Sequence, residues 1–187
     1  MFQEITDREK LLRRVALKCA DFARQLSYHR ALERYEDSRK LNFWRYMYNN
    51  AIDLAVIDWF HLFGYHNDDL HWKQVSNDVD GFREELLAHL RMGQKEWVEY
   101  RETVKTYRDK DVAHIQVRPL SHVPDMSIAL KATNFYYKKV LEELKQYSEY
   151  KGWPADLGEY HKCSFEQSIR IAEAASSATS NIDEKVY

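Results

Sequence analysis

Glycine and proline are scarce in this chain, at 5 and 3 among 187 residues. Tight turns draw on them for left-handed and fixed-φ backbone, so the shortage argues against many short strands and for long helices with few connections. Cysteine is rarer still. Cys19 and Cys163 are too few and too far apart in sequence for a disulfide framework or a zinc knuckle, which favours a reducing compartment, with the cytoplasm as the default. Long hydrophobic runs are missing: the longest apolar stretch, 51–63, is interrupted by Asp53, Asp58 and His61. It falls short of the roughly 20 apolar residues that a membrane span needs, so no membrane partner is expected. Met1-Phe2-Gln3-Glu4 lacks the pattern of a secretory leader. Neither sign of charge dominates. With 28 Lys and Arg against 30 Asp and Glu, any nucleic acid would have to be held by a local basic patch.

What the chain has in quantity is aromatic packing material, 13 tyrosines, 8 phenylalanines and 5 tryptophans. A chain of this length suggests one domain able to bury roughly 70% of its unfolded surface. The expected fold is all-α, an up-and-down bundle of about five to six helices in a single domain, 1–187.

Thr6-Asp7-Arg8-Glu9 reads as a capping box, and Leu11, Val15, Cys19, Phe22 and Leu26 follow at helical spacing, giving a helix over about 7–28. The charge-dense residues 29–40 either extend it or form a solvated connector. A second helix starts near 38–42 and carries Phe43, Trp44, Met47, Ala51, Leu54, Ala55, Trp59 and Leu62 before Gly64 stops it. Its apolar residues spread around most of the circumference, so it needs two neighbours, of which one could be a second copy of the chain. Asn49, Asn50 and Asp53 interrupt it, either as a solvated strip or as a second layer behind the site described next.

Residues 65–81 form a polar loop without sustained period, whose His66, Asp69 and His71, with His61, are ordinary metal-ligand types. None of them shares the i, i+4 spacing that would presort a pair. A short helix follows Asp80 over about 82–92, and Gly93 breaks it from the next. That helix carries Trp97, Tyr100, Val104 and Tyr107 towards Arg118-Pro119. Asp125 caps a helix through Tyr147 that Gly152-Trp153-Pro154 ends, and Ser164-Phe165-Glu166-Gln167 is a second capping box opening a helix to about Ala175. No internal repeat is visible.

The chemistry concentrates in Tyr107-Arg108-Asp109-Lys110-Asp111-Val112-Ala113-His114. Arg108 offers a planar fork of donors suited to phosphate. His114 has the one side chain whose ordinary pKa lets it give or take a proton near neutrality. On a regular helix six residues leave the pair roughly 120° apart around the axis and about 9 Å along it. Either the helix distorts at 109–111, or two chains pair so that two motifs line one cleft. The alternative is a solvated helix face, 108–111, with ion pairs of little weight, and a core histidine.

An Arg, a polar residue after it and a His at this distance resemble the motif of the HEPN superfamily. Arg108-Asp109-Lys110 with Ala113-His114, and the earlier Asp58-Trp59-Phe60-His61-Leu62-Phe63-Gly64 followed by His71-Trp72-Lys73, resemble its abortive-infection branch. The resemblance covers roughly 40–150, with flanking helices at both ends. It implies a HEPN-like homodimer with facing motifs, and a metal-independent endoribonuclease serving as a defence or toxin effector. RNA would be the substrate and an antitoxin protein a further partner. No cofactor and no metal are implied. Arg108, His114 and Asp109 would be the catalytic set, with Asp111 holding the imidazole and Lys110, Asn50 and Asp53 around it. A non-catalytic HEPN module that binds nucleotide, RNA or a partner protein is the alternative. Some HEPN toxins are silenced by modification of a tyrosine just after the motif; Ile115-Gln116-Val117-Arg118 offers none.

Overall fold

The computed structural model describes residues 5–35, 41–112, 123–147 and 152–184. Among them the chain is all helical and contains no strand. The described residues form seven α-helices: α1 (Asp7–Glu33), α2 (Asn42–Phe63), α3 (Trp72–Val75), α4 (Val79–Leu90), α5 (Gln94–Tyr107), α6 (Ser127–Leu144) and α7 (Leu157–Thr179). A π turn, Arg108–Val112, continues α5. The count exceeds the expected five to six because a single turn, α3, forms inside what reads as a polar loop. Its Trp72 is buried and stacks on Phe82 at 4.8 Å, an anchor strong enough to fix one turn without helical period.

Although α1 was expected as a flank, it is the hub, packing against α2, α6 and α7. Leu12, Val15, Ala16, Cys19, Phe22 and Ala23 are wholly buried along it. The Thr6 hydroxyl accepts from the Glu9 amide at 3.2 Å and starts the helix as the sequence suggests. Buried His29 and Ala31 carry it on to Glu33, which resolves the first part of the charge-dense stretch as helix; 36–40 lie outside the described residues. Arg8 forks onto Glu143 with two bonds of 2.7 Å and also donates to the Val75 carbonyl, tying α1 to α6 and α3.

Aromatic rings join the remaining helices. Trp59 on α2 lies 5.4 Å from Phe63 and 6.0 Å from Trp97 on α5, and Phe63 meets Tyr136 on α6 edge-on at 5.9 Å. Each such pair adds about 0.5–1.5 kcal/mol beyond area burial, so this cluster seats α5 against α2.

Three boundaries differ from the sequence reading. Asp78, rather than Asp80, caps α4 through the Gly81 amide at 2.9 Å. The left-handed residue closing α4 is Arg91 (φ 54°), and Gly93 instead caps α5, its amide donating to Glu96 Oε2 at 2.6 Å. The third is the start of α7. Asp156 accepts from the Gly158 and Glu159 amides, so the helix begins two turns before Ser164, whose hydroxyl meets Ser27 at 2.7 Å in mid-helix. The buried face of this first stretch, Leu157 and His161, hides from a hydrophobicity count because half of it is histidine.

No helix among the described residues is long and apolar enough to cross a membrane.

Candidate functional site

Trp97, Val104 and Tyr107 bury one stripe of α5, which holds the end of this helix against α2. At Arg108 the backbone widens from α to π geometry, through Val112. Of the two ways to reconcile the motif spacing, distortion of the helix at 109–111 is therefore present. π turns occur mostly singly and often at functional sites, because the extra residue re-aims the side chains around it. His114 and the approach to Arg118-Pro119 lie outside the described residues, as does the side chain of Asp111.

Arg108 is the best-held cation of the motif. Its side chain is only 16% exposed. The guanidinium lies 4.0 Å from the ring centre of Phe60 and 4.7 Å from that of Tyr65. Its Nε donates to Asp109 Oδ1 at 2.8 Å, its Nη2 donates to the same oxygen, and Nη2 also donates to the Tyr65 hydroxyl at 2.6 Å. Burial works against the cation, but the bonds to Tyr65 and Asp109 outweigh it and raise the Arg108 pKa. Burial likewise opposes the Asp109 carboxylate, and Arg108 with Lys105 overcomes it, lowering that pKa. The solvated-face alternative fails for Arg108; it fits Lys110, which is exposed.

Why Phe60 lies under Arg108 follows from Gly64. A Cβ at position 64 would collide with the Phe60 ring and carbonyl, so glycine permits the close pass of the chain over the end of α2. Its φ of −84° shows that left-handed geometry is not the reason. The same pass brings Tyr65 to the guanidinium, and Phe60 and Tyr65 meet edge-on at 5.5 Å.

Asp53 faces this end of α5: the Tyr107 hydroxyl donates to it at 3.1 Å. Asn50 lies elsewhere, lining an apolar groove of about 540 Å³ between α1, α2 and α7 with Tyr28, Trp44, Met47, Leu54 and Ile171. No hydrogen bond joins Asn50 to the described motif residues. Phe60 and Tyr65, which sequence reasoning did not place in the site, sit in its centre. The available signal was the phrase ending at Gly64, which carried the family resemblance and runs directly into Tyr65.

Of the loop histidines, His66 and His71 meet edge-on at 5.0 Å, but each of the other candidate ligands is engaged elsewhere or apart. His61 Nδ1 pairs with Asp68, and His71 Nδ1 accepts from the Lys73 amide at 3.1 Å. That second bond assigns the His71 proton to Nε2, and burial holds its pKa down at about 3, so the ring is neutral and offers no free lone pair. Among the described residues no group of three or more His, Cys, Asp or Glu side chains could hold a metal ion.

Asp109 occupies the Nε/Nη2 edge of Arg108, and among the described residues Nη1 has no hydrogen-bond partner. A sheltered, permanently charged group with one open edge is suited to seating a phosphate and to stabilising charge that develops on it. No family model matches the chain, and no curated protein or solved structure does.

Proposed function

We propose that the chain is a metal-independent endoribonuclease of the HEPN type, working as a homodimer in a defence or toxin role. The observation that carries this reading is the Arg108 guanidinium, part-buried between Phe60 and Tyr65 at the start of a π turn, six residues before His114 in sequence. Such a cation exposes a defined edge rather than a mobile charge. His114 takes the proton of a ribose 2′-hydroxyl, and that oxygen bonds to the adjacent phosphorus. Arg108 meets the charge gathering on the non-bridging oxygens. The bond to the 5′-oxygen then breaks, and that oxygen takes up a proton, leaving a 2′,3′-cyclic phosphate and a 5′-hydroxyl. Asp109 fixes the guanidinium plane.

A second copy of the chain is supported by α2, which leaves Phe43, Tyr46, Met47 and Leu54 exposed at spacings of three, one and seven residues. An exposed apolar stripe of this kind is characteristic of an association surface. The second reading, a non-catalytic module that binds RNA or nucleotide, is favoured by Asp109, which already neutralises much of Arg108.

End-group analysis of generic RNA incubated with pure protein in chelator separates the two. Cyclic phosphate ends from wild type, loss of cleavage in His114→Ala with RNA affinity kept, and impairment of both cleavage and affinity in Arg108→Ala are the results expected of the nuclease. Wild-type-like cleavage by His114→Ala would remove the catalytic assignment. Cleavage that vanishes in chelator and returns with a divalent ion would remove the metal-free one.

A further inference from the structure

We infer that Tyr65 is a phosphate-contacting residue, its hydroxyl acting beside Arg108 as a second donor to the same anion. The inference rests on the reading of Arg108 as a phosphate site, and adds a neutral donor to it that no motif supplies.

The guanidinium has two double-donor edges. Asp109 Oδ1 takes the Nε/Nη2 edge by accepting from both nitrogens. The hydrogen that Nη2 has left is the one turned towards Nη1, and this is the hydrogen given to the Tyr65 hydroxyl at 2.6 Å. Tyr65 therefore stands on the open edge of the cation, with Nη1 next to it. In that bond the phenol oxygen only accepts, and among the described residues its own proton has no acceptor. Tyr65 is 54% exposed, so the O–H reaches solvent while its ring stays fixed against Phe60 and the guanidinium.

Accepting from a cation polarises the phenol and makes it a stronger donor. Nη1–H and Tyr65 O–H then form a pair of donors on one edge, matching the two non-bridging oxygens of a phosphodiester. Asp109 lies on the opposite edge, where it holds the guanidinium without occupying the seat.

The test is binding of a 2′-O-methyl RNA oligomer, which lacks the nucleophile and is not consumed, to wild type, Tyr65→Phe, Arg108→Ala and the double variant across a salt series. Circular dichroism confirms that each is folded. Tyr65→Phe keeps the ring and loses the hydroxyl; affinity should fall about tenfold, the usual weight of a hydrogen bond to a charged group. The slope of log affinity against log salt should stay as in wild type, because no charge is lost. Arg108→Ala should reduce that slope by about 0.7, the counterion release of one phosphate contact on a single strand.

The double variant decides between contact and support. If Tyr65 donates to the phosphate itself, adding Tyr65→Phe to Arg108→Ala should weaken binding again. Unchanged binding on that addition would mean that Tyr65 only holds Arg108, and wild-type affinity in the single variant would mean that it touches nothing; either overturns the inference. Wild type that binds but does not cut RNA would fail the nuclease and leave the Tyr65 result standing. No binding by wild type would overturn both.

Discussion

At the scale of single residues, two buried histidines set how the protein responds to acid. Burial holds His71 at about 3, and burial with Arg30 alongside holds His161 at about 4. Both are neutral in the folded chain at pH 5, whereas in the unfolded chain they protonate near 6.5. The unfolded state then binds more protons, so stability is unaffected above about pH 6.5 and falls as pH drops below it, towards pH 4 and 3. At pH 5 the loss is at most about 2 kcal/mol for each histidine. Urea midpoints at pH 7.5 and 5.0 should differ less in His161→Gln, which keeps an acceptor for the Arg30 Nη1 now 3.3 Å from the ring but removes the titration. An equal drop in both proteins would show that His161 is not responsible. Gly64 is the other decisive single residue. Gly64→Ala must push Phe60 aside, with a stability cost of about 1–3 kcal/mol. It should also weaken RNA binding, because Phe60 is the floor under Arg108. Stability loss with affinity unchanged would show that the floor is dispensable.

At the scale of elements, α7 depends on one cap. Asp156 accepts from the Gly158 and Glu159 amides with Oδ1, and from Asn134 and Lys138 with Oδ2, so it starts α7 and fastens that start to α6. Asp156→Ala should cost about 1–2 kcal/mol in thermal or urea unfolding. Asp156→Asn keeps the Oδ1 cap and loses the Oδ2 acceptor shared by Asn134 and the half-exposed Lys138, so it should cost less than Asp156→Ala. An equal loss in Asp156→Asn would transfer the weight from the cap to the Oδ2 contacts with Asn134 and Lys138. This element also shows why its boundary escaped the sequence. The capping box at Ser164 has the right letters, but Ser27 of α1 claims its hydroxyl, and a cap is decided by which group the side chain meets.

At the scale of the whole molecule, the open question for the site is the second chain. Phe43, Tyr46, Met47 and Leu54 are 45–68% exposed, so covering what remains open would contribute, for each, about half of the roughly 1.5–3 kcal/mol that complete burial gives a large apolar side chain. That sum is of the same order as the cost of association. A dimer built on this stripe should therefore depend on protein concentration and be sensitive to single charges. Light scattering should give a two-chain particle for wild type and one chain for Met47→Glu with Leu54→Glu, with helix content kept. Wild type that runs only as one chain would remove the two-fold cleft from the mechanism while leaving the Arg108 cluster in place.

The sequence by itself determined that the chain is helical and where most helices run. The scarcity of glycine and proline, the capping box at Thr6, the stop at Gly64 and the spacing of Trp97, Val104 and Tyr107 are local signals, carried by neighbours within a turn or two. It also marked Arg108 as the residue to watch. Only the tertiary structure decided that α1 is the hub, because periodicity reveals that a face is apolar and not what covers it. It decided too that Asp53 faces the motif helix while Asn50, three residues earlier, lines a groove with α1 and α7. The site itself is of this second kind. Tyr65 lies 43 residues from Arg108 in sequence and 2.6 Å from it in space. That distance is set by how α2 and α5 pack and by the missing side chain of Gly64, a relation that no local pattern in either segment encodes.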